Sequence, residues 1–278
     1  MALEIWENNK CNRITLIKFR PMNEEKITKD ETNEEEKEYD NGFKPKEVHL
    51  KPDYIFYRKN FWYKVWNRIV VYICSFVFFF PKFFVYNFRV KGKKYRKFAK
   101  GSIMICNHVH AFDVIFIITT FKRHLFYQTT LQSNLGFGFV SKIFTGGGSV
   151  PIPTESLQLM RNFRNGTIKT LNMGYPILFM PEGHLIVQSK KVREFMPGAF
   201  HYAYESNSKT ILPTVITFHK PKGIFKLIRR KKPTIRYNIL PPYHIEELET
   251  KKQTLKKATD DLHEIMSKYY LENSDYFL

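Results

Sequence analysis

The sequence predicts an α/β fold, with a largely parallel sheet flanked by helices and an interfacial, membrane-anchoring helical hairpin on its N-terminal side. Two observations predict it. From residue 86 onward, short apolar runs alternate with longer amphipathic stretches, which is typical of strands and helices packed in layers. Ahead of them, residues 61–88 form the most apolar segment of the chain and are rich in aromatic side chains.

Composition divides the chain into three regions. Residues 1–60 form a weakly organised extension with 12 basic against 13 acidic side chains. Residues 61–85 are the anchor and residues 86–278 the α/β domain. The net charge is +19, so the residues after 60 carry all the basicity. Such a field attracts anionic lipid, a phosphorylated substrate or nucleic acid, and the lack of an RNP-like or zinc-knuckle pattern argues against nucleic acid.

The cysteines and the first residues indicate the compartment. Cys11, Cys74 and Cys106 are an odd, scattered set that forms no disulfide framework and no Cys-x-x-Cys metal site, so a reducing compartment is expected. The N-terminus lacks the basic-then-apolar pattern of a signal sequence, so no export is expected.

The apolar segment is too short to cross a bilayer as one helix. Its longest uncharged run, Ile69 to Pro81, lies between Arg68 and Lys82 and has 13 residues, whereas a spanning helix needs about 20. Tryptophan and basic residues flank the run, as they do at membrane interfaces. We expect a helical hairpin kinked at Pro81, dipping into one leaflet with both termini on the cytoplasmic face. A buried core helix is the alternative.

The predicted elements alternate along the domain. Predicted strands cover residues 85–90, 103–105, 125–129, 176–180, 211–218 and 234–240. Predicted helices cover residues 113–120, 155–173, 197–206 and 246–270. In parallel sheets, functional residues gather at the carboxyl ends of strands. His108 and Glu182 both lie just past a predicted strand, which makes them candidate site residues.

The first candidate pair is His108 and Asp113, on the connection between a strand and a helix. Asp is a favoured N-cap, so Asp113 is expected to cap the helix that follows. Five residues across a tight connection bring the carboxylate within reach of one imidazole nitrogen. That contact would fix the tautomer and make the other nitrogen a general base. A capping Asp beside an unrelated loop His is the alternative.

Two neighbours suggest other chemistry. Cys106 could be a thiol nucleophile, but strand alternation favours a position in the core. His110, with His108 and Asp113, could form the ligand set of a metal-dependent hydrolase. The spacing does not match that of metallo-β-lactamases, and the alternative for His110 is a loop residue facing solvent.

The order of four short motifs resembles the lysophospholipid (glycerolipid) acyltransferase family, typified by 1-acylglycerol-3-phosphate acyltransferases. The resemblance covers about residues 90–218. In order, the motifs are Asn107-His108 with Asp113, Gly148-Ser149-Val150-Pro151-Ile152, Met180-Pro181-Glu182-Gly183, and Ile211-Leu212-Pro213-Thr214-Val215. Each alone is weak, but four in order, in suitable strand contexts, are fairly specific.

The resemblance implies a membrane-associated enzyme of phospholipid biosynthesis and assigns roles to its matched residues. His108 and Asp113 would be catalytic, and Asn107, Gly148, Glu182 and Gly183 would contribute to substrate binding. The acyl donor would be acyl-CoA or acyl carrier protein, with no further cofactor and no metal. Oxyanion donors are expected among the backbone N–H groups near Gly183 or in the 146–148 turn.

Two departures from the family pattern concern the acceptor. Pro153-Thr154 stands where the family carries a phosphate-binding Arg, and His184-Leu185 where it continues Thr-Arg. Lys190, Lys191 and Arg193 could replace these cations, with Arg193 favoured because its fork matches two phosphate oxygens; a solvated basic loop is the alternative. The lost Arg also leaves open a catalytically degenerate membrane-surface protein.

Overall fold

A computed structural model gives the structure of the protein and describes residues 46–122, 125–228 and 232–276. Most of the predicted N-terminal extension, residues 1–45, lies outside the described residues. The described helices are α1 (Phe61–Val77), α2 (Asp113–Thr120), α3 (Phe139–Gly146), α4 (Leu157–Asn172), α5 (Gly198–Glu205), α6 (Ile224–Ile228) and α7 (Lys251–Asn273). The described strands are β1 (Arg89–Lys91), β2 (Ile103–Cys106), β3 (Tyr127–Leu131), β4 (Ser149–Ile152), β5 (Ile177–Phe179), β6 (Thr210–His219), β7 (Thr234–Ile239) and β8 (Tyr243–His244).

The strands form one sheet in the order β1-β7-β6-β2-β5-β3-β4, with β8 paired to the start of β6. The central strand β2 pairs in parallel with both β5 and β6, and β3 pairs in parallel with β4 and β5. Among the described strands, β7 and β8 pair with β6 in antiparallel, and β1 pairs in parallel with β7, so these three strands run opposite to the central ones. The prediction of a largely parallel α/β sheet is confirmed.

Strand alternation divides the core into two layers, one on each face of the sheet. Ile103 and Ile105 of β2 pack on the face covered by α4, α5 and α7. Met104 and Cys106 of the same strand pack on the opposite face, with α1 and α2. Because both faces are covered, the central strands are apolar throughout, as buried parallel strands are.

The segment after α1 differs from its prediction. Residues 85–90 were expected to form a strand, but Pro81–Val85 is a π-helical turn and β1 begins only at Arg89. Asn87 has a φ of 43°, which ends the helical turn, and Phe88 N–H still donates to the Lys82 carbonyl. The β-branched and aromatic side chains here favour a strand by propensity, and local hydrogen bonding overrides that preference.

Helix α1 extends along one face of the domain toward the end of β2. Near its start, the Tyr63 hydroxyl donates to the Thr145 carbonyl. Just past its end, Phe78 packs edge-on against Phe112, immediately before Asp113, with ring centroids 5.1 Å apart. Its outer side is aromatic and exposed, as at Trp62 and Phe76. No helix in the described ranges is long and apolar enough to cross a membrane, and insertion of this segment as a hairpin stays a prediction.

Candidate active site

The predicted pair forms at the carboxyl end of β2. His108 Nδ1 lies 3.2 Å from Asp113 Oδ2, and Asp113 is fully buried while the imidazole stays partly exposed. The carboxylate therefore holds one ring nitrogen from the protein side. This leaves the other nitrogen available to a substrate.

Asp113 performs a different capping task from the one predicted. Phe112 is the N-cap of α2 and Asp113 is the first helical residue. Its Oδ2 accepts the backbone N–H groups of Val109 and His110, at 2.8 and 2.9 Å, so it caps the loop that precedes the helix. One carboxylate oxygen thus fixes both the ring and the backbone beside it.

Asn107 is fully buried. It ties the start of the loop between β2 and α2 (residues 107–112, the candidate catalytic loop) to β6. Its Nδ2 donates to the Ile216 carbonyl and its Oδ1 accepts the Ile216 N–H, at 3.0 and 2.8 Å. These contacts position the start of the loop, and the assignment of Asn107 to substrate binding stays a prediction.

The side chain of Cys106 is also fully buried, as expected from strand alternation, and burial raises the pKa of its thiol well above the usual value. A thiol held in its protonated form is a poor nucleophile. The nucleophile hypothesis for Cys106 is therefore unsupported.

His110 is buried rather than exposed to solvent. Its Nδ1 accepts the Phe112 N–H at 3.1 Å, its ring lies against Phe116 and Tyr86, and burial lowers the pKa of its imidazole. Within residues 46–122, 125–228 and 232–276, no group of three or more His, Cys, Asp or Glu side chains is arranged to hold a metal ion. The metal-dependent hydrolase therefore lacks a ligand set in the described structure.

Glu182, after β5, lies beside the loop that carries His108. Its carboxylate is completely buried and pairs with Arg193, whose Nη2 and Nε lie 3.0 and 3.1 Å from Oε2. The nearby backbone N–H of His108 also favours the charged form of this carboxylate and so lowers its pKa. Burial raises the pKa of Glu182 to about 7, against the opposing effect of the Arg193 charge. The pair formed by Glu182 and Arg193 therefore lies beside His108, and the assignment of Glu182 to acceptor contacts stays a prediction.

The two glycines predicted in the site are structural. Gly183 has a φ of 79° and its N–H donates to the Met180 carbonyl, so this N–H is not free for an oxyanion. Gly148 has a φ of 102°, and a Cβ there would lie 2.1 Å from the Phe126 carbonyl oxygen. It precedes β4 and therefore lies at the amino edge of the parallel strands, opposite His108. Neither Gly148 nor the 146–148 turn borders the catalytic pair.

The loop after β5 is joined directly to the loop after β2. Ile186 N–H donates to the His108 carbonyl at 3.3 Å, and Gln188 N–H donates to the Val109 carbonyl at 2.8 Å. Two backbone hydrogen bonds and the Glu182 carboxylate thus fix the position of the backbone at His108. Arg193, also on this loop, donates to the His184 carbonyl and keeps about one sixth of its side chain exposed.

The position of the missing family Arg is occupied by a neutral and acidic network. Thr154 N–H donates to Gln132 Oε1, and Gln132 Nε2 donates to Glu155 Oε1 at 2.6 Å. Glu155 also lies 2.9 Å from His49 Nδ1. Of the candidate replacement cations, Arg193 is the one whose side chain lies beside the catalytic loop through its pair with Glu182. The pairing of Glu182 with Arg193 could not be predicted from the sequence, because the loop between the two residues has no periodic pattern.

Comparison with known proteins finds two similarities. Residues 87–217 match the family model described as Acyltransferase. A similar solved structure is the crystal structure of the 1-acyl-sn-glycerophosphate (LPA) acyltransferase PlsC from Thermotoga maritima, with a TM-score of 0.51 and 16% identity over 76% of this chain and 81% of that one. A search of the curated proteins finds no match.

Residues 87–217 thus form a domain that the Acyltransferase family model describes. The likeness to PlsC shows that the fold is similar as well.

Proposed function

We propose that the protein transfers a fatty acyl group from a thioester donor, acyl-CoA or acyl carrier protein, to a hydroxyl of a lysophospholipid-type acceptor. Such a step belongs to phospholipid biosynthesis, and 1-acylglycerol-3-phosphate is the first acceptor to test. The observation that carries the proposal is the contact of 3.2 Å between His108 Nδ1 and the buried Asp113 carboxylate, with the imidazole partly exposed at the carboxyl end of β2.

The chemistry follows from the orientation of His108. Its outer nitrogen removes the proton of the acceptor hydroxyl as the oxygen attacks the thioester carbonyl. The tetrahedral intermediate then collapses, the carbon–sulfur bond breaks, and the imidazolium returns the proton to the leaving thiolate. Asp113 stabilises the imidazolium between these steps and holds the tautomer that makes the first one possible. The reaction as proposed needs no metal and no resident cofactor, so a chelator should leave the rate unchanged.

Arg193 is the proposed contact for the acceptor phosphate. It is held beside the catalytic loop by Glu182 and by the His184 carbonyl, and its exposed part faces the solvent side of that loop. An Arg already oriented by a carboxylate loses little conformational freedom when it binds a phosphate. This assignment deepens the expectation from the sequence, in which Arg193 compensates for the missing family Arg.

Membrane association is proposed to occur through α1 and the π-helical turn after it, from the cytoplasmic face. The exposed side chains here include Trp62, Trp66, Phe76, Phe79 and Phe80. Aromatic side chains of this kind partition to the bilayer interface. Since the end of α1 packs against Phe112 beside Asp113, a surface bound in this way would place the catalytic loop near the lipid.

The test is a set of acyl-transfer assays with purified variants and a panel of lysolipids with one labelled acyl donor. His108→Ala should lower the rate by about 10²–10⁴-fold, and Asp113→Asn should lower it strongly because the wrong tautomer is held. His244→Ala is the matched control. His244 lies on β8, which pairs with the amino end of β6, whereas His108 follows the carboxyl end of β2. Near-normal turnover by a folded His108→Ala protein would contradict the mechanism.

A further inference from the structure

Two lysines lie together where the π-helical turn meets the end of α2. Lys82 Nζ donates to Thr119 Oγ1 at 2.6 Å and lies 4.4 Å from the centre of the Phe88 ring. Lys122 follows Thr119 by three residues, and its Nζ lies 5.6 Å from the centre of the Tyr72 ring. The junction of α1 with α2 therefore holds two cations and one hydroxyl.

This pair has no acidic partner in the part of the chain that the structure describes. Neither Lys82 nor Lys122 forms an ion pair with a described carboxylate. Burial, and then the charge of Lys122, lower the pKa of Lys82 to about 8. The end of the α2 dipole supplies about half a negative charge at most, so nothing among the described residues balances the two lysine charges. An anion that binds here would restore the balance.

The surroundings indicate which anion. Phe79, Phe80, Phe83 and Phe84 lie within three residues of Lys82 and are all exposed. A water-soluble phosphate would gain nothing from these rings. A phospholipid, by contrast, carries a phosphate for the lysines and acyl chains for the phenylalanines.

The site is separate from the acceptor phosphate in the reacting pose. Thr119 follows Asp113 by six residues in α2, a rise of about 9 Å. In a lysophospholipid, only a few bonds separate the reacting hydroxyl from its own phosphate. The proposed function assigns the phosphate of the reacting acceptor to Arg193, so the lysine pair is assigned to a different lipid.

We propose that Lys82, held in place by the Thr119 hydroxyl, and Lys122 form a binding site for the phosphate of an anionic phospholipid that docks the protein on the bilayer and does not react. The inference rests on the interfacial binding proposed above. The proposed site gives the interfacial binding a specific contact with a lipid headgroup, which diffuse attraction to a basic surface does not provide.

The test measures lipid binding without acyl transfer, so it does not depend on the catalytic proposal. Isothermal titration calorimetry of the full chain with a water-soluble short-chain phosphatidylglycerol should show one site, and inorganic phosphate should bind more weakly. Lys82→Met keeps the apolar stem over Phe88 and should weaken lipid binding about tenfold or more, the loss of one charge-assisted hydrogen bond. Lys122→Met, at an exposed position, gives a second reading that does not disturb packing.

Lys142→Met is the matched control, because it removes one exposed charge from α3, which packs beside α1. It should leave the affinity nearly unchanged. Equal losses in the Lys142 and Lys82 variants would show diffuse attraction and overturn the site, as would wild-type affinity in both the Lys82 and Lys122 variants. Inorganic phosphate binding as tightly as the lipid would overturn the assignment to a lipid headgroup.

Discussion

Replacing Glu182 with Gln should change the pH dependence of stability in a defined direction. The carboxylate is completely buried and pairs with Arg193, and burial raises its pKa from 4.5 to about 7. Glutamine has nearly the same shape and keeps an oxygen for the His108 N–H, but it does not titrate. The variant therefore isolates the contribution of this one proton.

The sign follows from the direction of the pKa change. Between about pH 4.5 and 7, the folded protein binds this proton more tightly than the unfolded chain, so the protonated carboxyl stabilises the fold at low pH. That contribution is fully present below the unfolded pKa and is lost as pH rises through the folded pKa. The difference between 4.5 and about 7 corresponds to about 3 kcal/mol. The unfolding free energy of the wild type, relative to Glu182→Gln, should fall by about that amount over this range.

Urea denaturation from acid to mildly alkaline pH measures the effect, and Glu205→Gln is the matched control. Glu205 also pairs with an arginine, Arg164, at 2.7 Å, but the pair is more exposed. Burial opposes ionisation there, yet hydrogen bonds from Arg164 and Lys251 outweigh it and lower the pKa of Glu205. Its stabilisation is therefore lost as pH falls, opposite to that of Glu182. Parallel stability curves for the wild type and Glu182→Gln would refute the reasoning.

Two further substitutions test the supporting contacts of the site. Arg193→Ala should raise the Michaelis constant for the acceptor more than that for the donor, by an amount equivalent to about 1.5–3 kcal/mol. The control, Arg164→Ala, should change neither constant. Unaltered kinetics with every lysolipid would exclude Arg193 as the phosphate contact. Asn107→Ala leaves the Ile216 N–H and carbonyl without the bonds that the amide makes, and should lower the free energy of unfolding by about 1–3 kcal/mol in urea denaturation. An unfolding midpoint equal to that of the wild type would show that water replaces the amide.

The sequence predicted the parts of the fold that depend on hydrophobic pattern. Buried strands such as β2 and β5 are apolar on both faces, and α4 ends where Gly174, with a φ of 87°, breaks the helix. The contact between His108 and Asp113 was also predictable, because the two residues are close in sequence and flank a strand–helix connection. Local patterns of this kind do not depend on how distant segments meet.

The supporting contacts were not predictable in the same way. Asn107 binds Ile216 across 109 residues, a contact that depends on the register between β2 and β6. Glu182 meets Arg193 through an irregular loop, where side-chain periodicity gives no information. The position of Gly148 away from His108 could have been predicted. Gly148 precedes β4, whereas His108 follows β2, and in a parallel sheet the amino and carboxyl ends of the strands lie on opposite edges.

The backbone bonds between the loops after β2 and β5 have a consequence for how acceptor preference can change. The segment that carries Arg193 also holds the His108 and Val109 carbonyls through Ile186 and Gln188. Grafting a foreign version of this segment, to confer a new headgroup preference, would displace the histidine at the same time. New specificity in this enzyme is therefore more accessible through point changes beyond Gln188 than through exchange of the whole loop.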